Sequence, residues 1–167
     1  MGLDISYYQN LQFDSPDSDD DDDKYETGLI HLYMVQGGVD RSDGLQTGWY
    51  KGERGGNFRA GSYSGYNEWR NQLSLCMLNL SAEKIWESEP DDGGSSGRPF
   101  VELIHFSDCE GFIGPKTSAK LAADFAANEV KAQRYSEAQG EDWFYTKYKD
   151  WMAAFQCASS NGIVQFS

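Results

Sequence analysis

Two consecutive segments with helical periodicity, in the last third of the chain, limit most strongly what this sequence can fold into. Residues 116–137 are rich in alanine, residues 141–158 are rich in aromatic side chains, and Gly140 separates the two. In both segments apolar residues recur at the spacing of one helix face, which is typical of helices that bury that face. The two stripes are Leu121, Phe125 and Ala132, and Phe144, Tyr148, Trp151 and Phe155.

Strand patterns occupy much of the remaining apolar sequence, and one further segment, residues 66–80, has helical spacing. The strand candidates are residues 2–8, 28–35, 48–64 (two short strands around a turn at 53–56), 99–106 and 163–166. Because strands and helices are partly segregated along the chain, the order favours an α+β fold. We predict a single domain, residues 1–167, in which a mostly antiparallel sheet of about five or six short strands packs against three helices.

Negative charge is concentrated in two tracts. The chain has a formal charge of −13, of which residues 14–24 carry −6 and residues 87–98 carry −3. Both tracts lack apolar side chains, so they bury too little surface to offset the entropy lost on ordering. We therefore expect two flexible acidic surface loops.

The composition also limits the partners of this chain. An acidic surface repels nucleic acid, and carboxylates on loops do not give the rigid, phosphate-like spacing of a DNA mimic. No segment approaches the roughly 18 apolar residues of a membrane span, and residues 1–13 contain no secretory signal. Three separated cysteines and two histidines favour a reduced compartment and argue against a zinc site. We expect a cytoplasmic protein that binds no metal, cofactor, nucleic acid or membrane.

Two junctions between a loop and a helix are candidate binding sites for an anion. Residues 58–70 lead into the helix that contains Arg70, and residues 105–118 lead into the longest helix. Free backbone N–H groups and the helix dipole favour an anion at such helix starts, and aromatic side chains can stack on a planar ring. The candidate ligand-binding residues are Arg59, Ser62, Tyr63, Ser64, Tyr66, Arg70, Ser107, Lys116 and Thr117. The same small and polar residues are also ordinary helix caps and turns.

Catalytic interpretations remain open beside the binding one. Asp108, Glu110 and His105 could serve a small hydrolase, with or without a metal ion. Glu102 becomes a candidate base if its strand face is buried. The second junction is not a P-loop, because Pro115 separates Gly114 from Lys116 and removes an N–H group.

Three blocks of this sequence resemble a family of small uncharacterised proteins of bacteriophages and prophages. They are the opening Met1–Ile5 (MGLDI), residues 58–70 (FRAGSYSGYNEWR) and residues 102–125 (ELIHFSDCEGFIGPKTSAKLAADF). The resemblance covers most of the chain apart from the acidic tracts. It implies a phage origin and a bacterial cytoplasm, and it carries over no catalytic residue.

The leading hypothesis from the sequence is a non-enzymatic phage protein that sequesters an anionic, nucleotide-like signalling ligand and so counters host defence. A homo-oligomer is compatible with this hypothesis. The first alternative is the hydrolase described above, acting on such a ligand. The second is an acidic interaction module that inhibits a host protein. The binding hypothesis depends on whether the two junctions meet in the fold, and the interaction module depends on the acidic tract of residues 14–24.

Overall fold

The computed structural model describes residues 1–18, 21–36, 38–88, 91 and 93–167 of the chain, without the side chains of residues 21 and 22. The strands are β1 (Leu3–Ser15), β2 (Ile30–Leu32), β3 (Gly48–Gly61), β4 (Gly111–Ile113) and β5 (Ile163–Phe166). The helices are α1 (Tyr63–Leu78), α2 (Ala82–Ser88), α3 (Val101–His105), α4 (Pro115–Gln139) and α5 (Trp143–Ala158), and a 3₁₀ helix spans Asp21–Thr27.

The strands form one antiparallel sheet in the order β2-β3-β1-β5-β4. Helix α5 contacts β1, β3 and β5, and α4 packs along α5. The predicted α+β single domain is therefore confirmed, as are the helices expected in residues 66–80, 116–137 and 141–158. Two shorter helices, α2 and α3, add to the three that were predicted.

Aromatic rings connect α1, α5 and the sheet. The ring of Trp69 lies 5.7 Å from that of Trp151 and 6.3 Å from that of Tyr66, centroid to centroid. The ring of Phe166, on β5, lies 5.5 Å from that of Trp151. All four side chains are almost completely buried, so this cluster fixes the first turns of α1 against the sheet.

Residues 48–64 contain one long strand instead of the two short strands that the sequence predicts. Gly55 and Gly56, within the predicted turn, continue β3 opposite β1, and Gly56 pairs with Tyr7. A Cβ atom at Gly55 would lie 2.8 Å from the ring of Tyr7, and one at Gly56 would meet the same ring. The two glycines therefore make room for the ring of Tyr7 on the adjacent strand β1. In a sequence, a pair of glycines with this role looks the same as a pair that forms a turn.

The prediction of a strand at residues 99–106 is wrong. This segment forms α3, which begins after Phe100 in a left-handed conformation with φ of 65°. Val101, Leu103 and Ile104 are buried. When every side of a short segment is buried, its sequence shows no periodicity, and strand and helix become indistinguishable.

The acidic tracts lie partly in regular structure. Asp14 and Ser15 end β1, and the 3₁₀ helix continues the first tract from Asp21. Residues 19, 20, 89, 90 and 92 lie outside the described part of the chain. Asp91, in the second tract, is buried in a salt bridge with Arg41, so this carboxylate does not belong to a solvated loop. Among the described helices, none combines the length and the apolar character needed to cross a membrane.

Candidate functional site

The start of α1 is satisfied by its own neighbouring residues. Ser62 is the N-cap, and its hydroxyl accepts a hydrogen bond of 3.0 Å from the backbone N–H of Gly65. The Ser64 hydroxyl lies 3.1 Å from that of Ser62. Arg59 donates to both carboxylate oxygens of Asp4 on the adjacent strand, at 2.9 and 3.1 Å. The serines and Arg59 therefore bond residues of their own neighbourhood.

Arg70 is the residue that joins the two junctions. Its guanidinium is buried, donates a 2.6 Å hydrogen bond to the carbonyl oxygen of Phe106, and bonds the Asn67 side chain. The guanidinium carbon lies 5.2 Å from the ring centre of Tyr66 and 4.9 Å from that of Trp86. A guanidinium held between two rings and a backbone carbonyl connects α1 to the loop after α3, although no carboxylate among the described residues forms a salt bridge with it.

A second link joins α1 to the loop after α3. The Asn67 amide donates a 2.7 Å hydrogen bond to the carboxylate of Asp108. Burial, reinforced by the nearby Asp108 carboxylate and opposed by Arg70, raises the pKa of Tyr66 to about 12. Tyr66 therefore keeps its proton at neutral pH, and its buried hydroxyl has no hydrogen-bond partner within the described residues.

A group of charged side chains surrounds His105, close to Arg70. Arg41 pairs with Asp91 and donates a 2.7 Å hydrogen bond to the carbonyl oxygen of Gly94. Within the described residues, Nε of Arg41, Nε of Arg70 and Nε2 of His105 are buried without a hydrogen-bond partner. Burial lowers the pKa of His105, and Arg41 and Arg70 add to that effect while Asp91 and Glu102 oppose it. His105 is therefore held in its neutral form between charges of both signs.

The start of α4 is occupied by a carboxylate from a distant part of the chain. Asp43 accepts a 2.8 Å hydrogen bond from the backbone N–H of Thr117 and another of 2.8 Å from the Thr117 hydroxyl. Asp43 has a left-handed backbone, with φ of 56°, in the loop between β2 and β3. It supplies the anion that the helix dipole favours, so an external anion finds these donors already taken.

Next to this cap is a hollow of about 190 Å³, which we call the charged hollow. Its charged lining residues are Arg41, Lys116, Lys120, Asp43 and Glu102. Three of these are cationic and two are anionic, and Asp91 and Asp124, which pair with Arg41 and Lys120, add two further negative charges beside the hollow. Lys116 is exposed and has no salt bridge within the described residues, so its ammonium group is available to a ligand.

Glu102 lies at the base of the charged hollow and is held as a carboxylate partner. It accepts hydrogen bonds of 2.6 Å from the backbone N–H of Ser96 and 2.7 Å from the Lys120 ammonium. Lys120 also reaches Asp124 at 2.7 Å. The sequence made Glu102 a candidate base on the condition that it was buried on the face of a strand. Glu102 is buried, but it lies on helix α3 and its carboxylate pairs with the Lys120 ammonium group.

A second, smaller hollow also includes Arg41 in its lining. This apolar hollow has a volume of about 30 Å³. Its lining includes Tyr33, Met34, Arg41, Phe106, Ser107 and Phe112. The Tyr33 hydroxyl donates a 3.5 Å hydrogen bond to Glu110, and burial, followed by the Glu110 charge, raises the pKa of Tyr33. A volume of this size admits about one or two water molecules unless the partly exposed Tyr33 and Met34 move.

The structure thus divides the candidate ligand-binding residues into three groups. Tyr66 and Arg70 lie against the loop that contains Ser107, and Lys116 and Thr117 line the charged hollow. Within the described residues, Arg59, Ser62, Tyr63 and Ser64 line neither the charged nor the apolar hollow. Asp108, Glu110 and His105 do not converge: Asp108 bonds Asn67, Glu110 bonds Tyr33, and His105 lies among Arg41, Arg70 and Asp91. No group of three or more His, Cys, Asp or Glu side chains in the described ranges could hold a metal ion.

Three residues that shape the hollows were not identified from the sequence. They are Arg41, Asp43 and Lys120. Arg41 and Asp43 lie in the segment 36–47, which its glycines and polar residues mark as a loop. The sequence signal that could have identified these two residues is the tripeptide Arg41-Ser42-Asp43 in that loop. Ser and Asp are common in turns, so the signal is weak.

Comparison with known proteins adds no family to this description: the chain matches no family model, and neither the curated proteins nor the solved structures give a significant match.

Proposed function

We propose that this chain is a non-enzymatic binding protein for an anionic, nucleotide-like small molecule, and that the charged hollow receives the anionic group. The observation that supports it is the lining itself: Arg41, Lys116 and Lys120 face two carboxylates in a hollow of about 190 Å³. A phosphate group favours a cation whose charge is not already paired, and within the described residues Lys116 is the lining cation that forms no salt bridge.

Lys116 is the residue that contributes most to ligand binding. Arg41 is neutralised by Asp91, and Lys120 by Glu102 and Asp124. Lys116, in contrast, follows Pro115 in the first turn of α4 and is exposed to solvent. Its ammonium group can approach a phosphate without breaking an existing ion pair, so it gains the full charge-assisted hydrogen bond.

The apolar hollow is the place for the planar part of the ligand. It adjoins the charged hollow at Arg41 and contains the rings of Tyr33, Phe106 and Phe112. A nucleobase that displaces Tyr33 and Met34 from the entrance would lie against the rings of Phe106 and Phe112. The phosphate of the same ligand would then reach Lys116. This arrangement pairs an aromatic site with a cationic one, as nucleotide sites do.

The phage resemblance gives this binding a biological setting. A protein that holds a nucleotide-derived signal without turning it over removes that signal from the host cytoplasm. Sequestration needs a saturable site and no catalytic group, which agrees with the separate positions of Asp108, Glu110 and His105. In this proposal the chain acts as a binding protein of a bacteriophage, alone or as a homo-oligomer.

The test is isothermal titration of the protein with cyclic nucleotides and ADP-ribose derivatives, followed by recovery of the ligand after denaturation. We expect one saturable binding site and recovery of intact ligand. In Lys116→Gln the affinity should fall about tenfold, because one charge-assisted hydrogen bond to the ligand is lost. Lys131→Gln is the matched control, because Lys131 is exposed on the same helix and lines neither hollow.

A variant of Asp43 tests the same site in the opposite direction. Asp43→Asn removes a negative charge from the lining while its amide oxygen can still accept one of the two hydrogen bonds from Thr117. We expect anion affinity to rise about fivefold, since one half-buried charge at close range contributes about 1 kcal/mol. The absence of binding across the ligand panel, or equal affinities in the parent and Lys116→Gln, would exclude the proposal, and turnover of the ligand would favour the hydrolase alternative instead.

A further inference from the structure

A third hollow lies where α1 faces the turn between α4 and α5, and its chemistry is opposite to that of the charged hollow. We call it the aromatic hollow; its volume is about 250 Å³. Its lining includes Glu68, Gln72, Tyr135, Glu141, Trp143 and Phe144. It contains three aromatic rings, two carboxylates and no basic side chain, and it shares no lining residue with the charged or the apolar hollow.

The rings of the aromatic hollow are fixed in place. Tyr135 and Phe144 pack edge to face with centroids 5.2 Å apart, and the rings of Trp143 and Phe144 lie 6.4 Å apart. The indole N–H of Trp143 donates a 2.5 Å hydrogen bond to Oε2 of Glu141. Trp143 is 38 % exposed, and its one polar atom is bonded to Glu141. Its remaining surface is an aromatic face open to a ligand.

The two carboxylates are oriented by the protein but not neutralised by it. The Gln72 amide donates a 2.7 Å hydrogen bond to Oε1 of Glu68, and the Tyr135 hydroxyl bonds the Gln72 side chain. Glu141 is held through Trp143. In the described ranges neither Glu68 nor Glu141 forms a salt bridge, so each keeps one carboxylate oxygen without a protein partner. Such oxygens are acceptors already in place for a cationic donor.

We propose that the aromatic hollow binds a small organic cation of the alkyl diamine class. Carboxylates supply the hydrogen-bond acceptors for ammonium groups, and the faces of Trp and Tyr attract the same positive charge through the ring quadrupole. Two carboxylates on one hollow match two ammonium groups joined by a short alkyl chain, which lies along the rings. The charge of −13 on the chain raises the local concentration of such a cation. This site is independent of the anion site proposed above.

The experiment is titration calorimetry of the full chain at low salt with 1,4-diaminobutane, and with butylamine as the single-charge comparison. We expect saturable binding of the diamine that is tighter than that of butylamine. Glu68→Gln with Glu141→Gln keeps both hydrogen bonds to Gln72 and Trp143 and removes both charges, so we expect at least about a tenfold loss. Trp143→Ala should weaken binding about fivefold and Trp143→Phe less, because phenylalanine retains a ring face.

Glu83→Gln is the matched control, since Glu83 is an exposed residue of α2 outside the aromatic hollow and should leave the affinity unchanged. Circular dichroism of each variant shows that the fold is intact before binding is compared. No saturable heat from the diamine at millimolar concentration, or equal affinities in the parent and the double glutamine variant, would overturn the proposal. Since the anion site shares no residue with this one, failure here leaves the binding of nucleotides to be judged separately.

Discussion

The two long helices that follow the predicted junctions begin in different ways. Helix α1 is capped by the residue immediately before it, Ser62, whereas α4 is capped by Asp43, which is 74 positions away from Thr117. The first cap is a local property of the sequence, and the second exists only after the loop of residues 38–47 has folded over α4. In each helix start a side chain of the protein already bonds one backbone N–H group, that of Gly65 in α1 and that of Thr117 in α4, which favours side-chain cations as the groups that bind an anion.

The comparison also shows how a charged residue can be removed from solvent. Arg59, at the first junction, stays exposed and pairs with Asp4, whereas Arg70, eleven positions further, is buried against Phe106. In the sequence, both arginines are candidate ligand contacts. In the structure, Arg70 has a structural role, since its N–H groups connect α1 to the second junction.

The largest effect is expected where the two junctions are joined. Arg70→Met removes the charge-assisted hydrogen bond to the buried Phe106 carbonyl and the contacts with Tyr66 and Trp86. We expect a loss of about 3 kcal/mol in the free energy of unfolding, because a buried acceptor loses its donor. Urea unfolding measures it. Arg59→Met is the comparison, with at most about 1 kcal/mol for an exposed ion pair; equal losses would mean that Arg70 does not join the junctions.

The cap supplied by Asp43 should rank second. Asp43→Ala removes two acceptors from the start of α4 and leaves alanine in a left-handed conformation. Together these effects should cost about 2 kcal/mol in the free energy of unfolding. Thermal and urea unfolding provide the measurement. A loss below that of the local cap variant described next would contradict the view that α4 depends on a distant residue.

The local cap should contribute less. Ser62→Ala removes one hydroxyl acceptor from the backbone N–H of Gly65 and leaves the backbone of Ser62 in an extended conformation that alanine adopts readily. We expect a loss of about 1 kcal/mol in the free energy of unfolding, the usual value for such a cap. Ser62→Asp should restore most of it, because aspartate caps equally well; failure of aspartate to do so would indicate that Ser62 acts by another contact.

The smallest effect concerns pH and the second junction alone. Burial lowers the pKa of His105, so the folded state binds fewer protons than the unfolded state between that lowered pKa and the ordinary value near 6.5. The contribution to stability is therefore present above pH 6.5 and is lost as the pH falls through this window. His105→Gln should reduce the change in the free energy of unfolding between pH 7 and pH 5, measured by urea unfolding. An unchanged pH dependence in this variant would mean that other groups cause it.

How much of the fold the sequence predicts depends on the range of the interactions. The helices in residues 116–137 and 141–158 were correctly predicted because their stripes recur every three or four residues, within one helix face. The segment 99–106 was not, since α3 is buried on all sides and its sequence carries no period. The pair Gly55–Gly56 was interpreted as a turn, because its real cause, the ring of Tyr7, comes from another strand.

The same distinction holds for the candidate site. The sequence alone determined that helices lie in residues 66–80, 116–137 and 141–158 and which segments concentrate negative charge, because each depends on neighbours within a few positions. The tertiary structure decided that Asp43 caps α4, that Arg70 binds Phe106, and that Arg41, Lys116 and Lys120 line one hollow. The physical reason is that a hydrogen bond or ion pair between distant residues depends on how the elements pack, which local preferences of the chain do not specify.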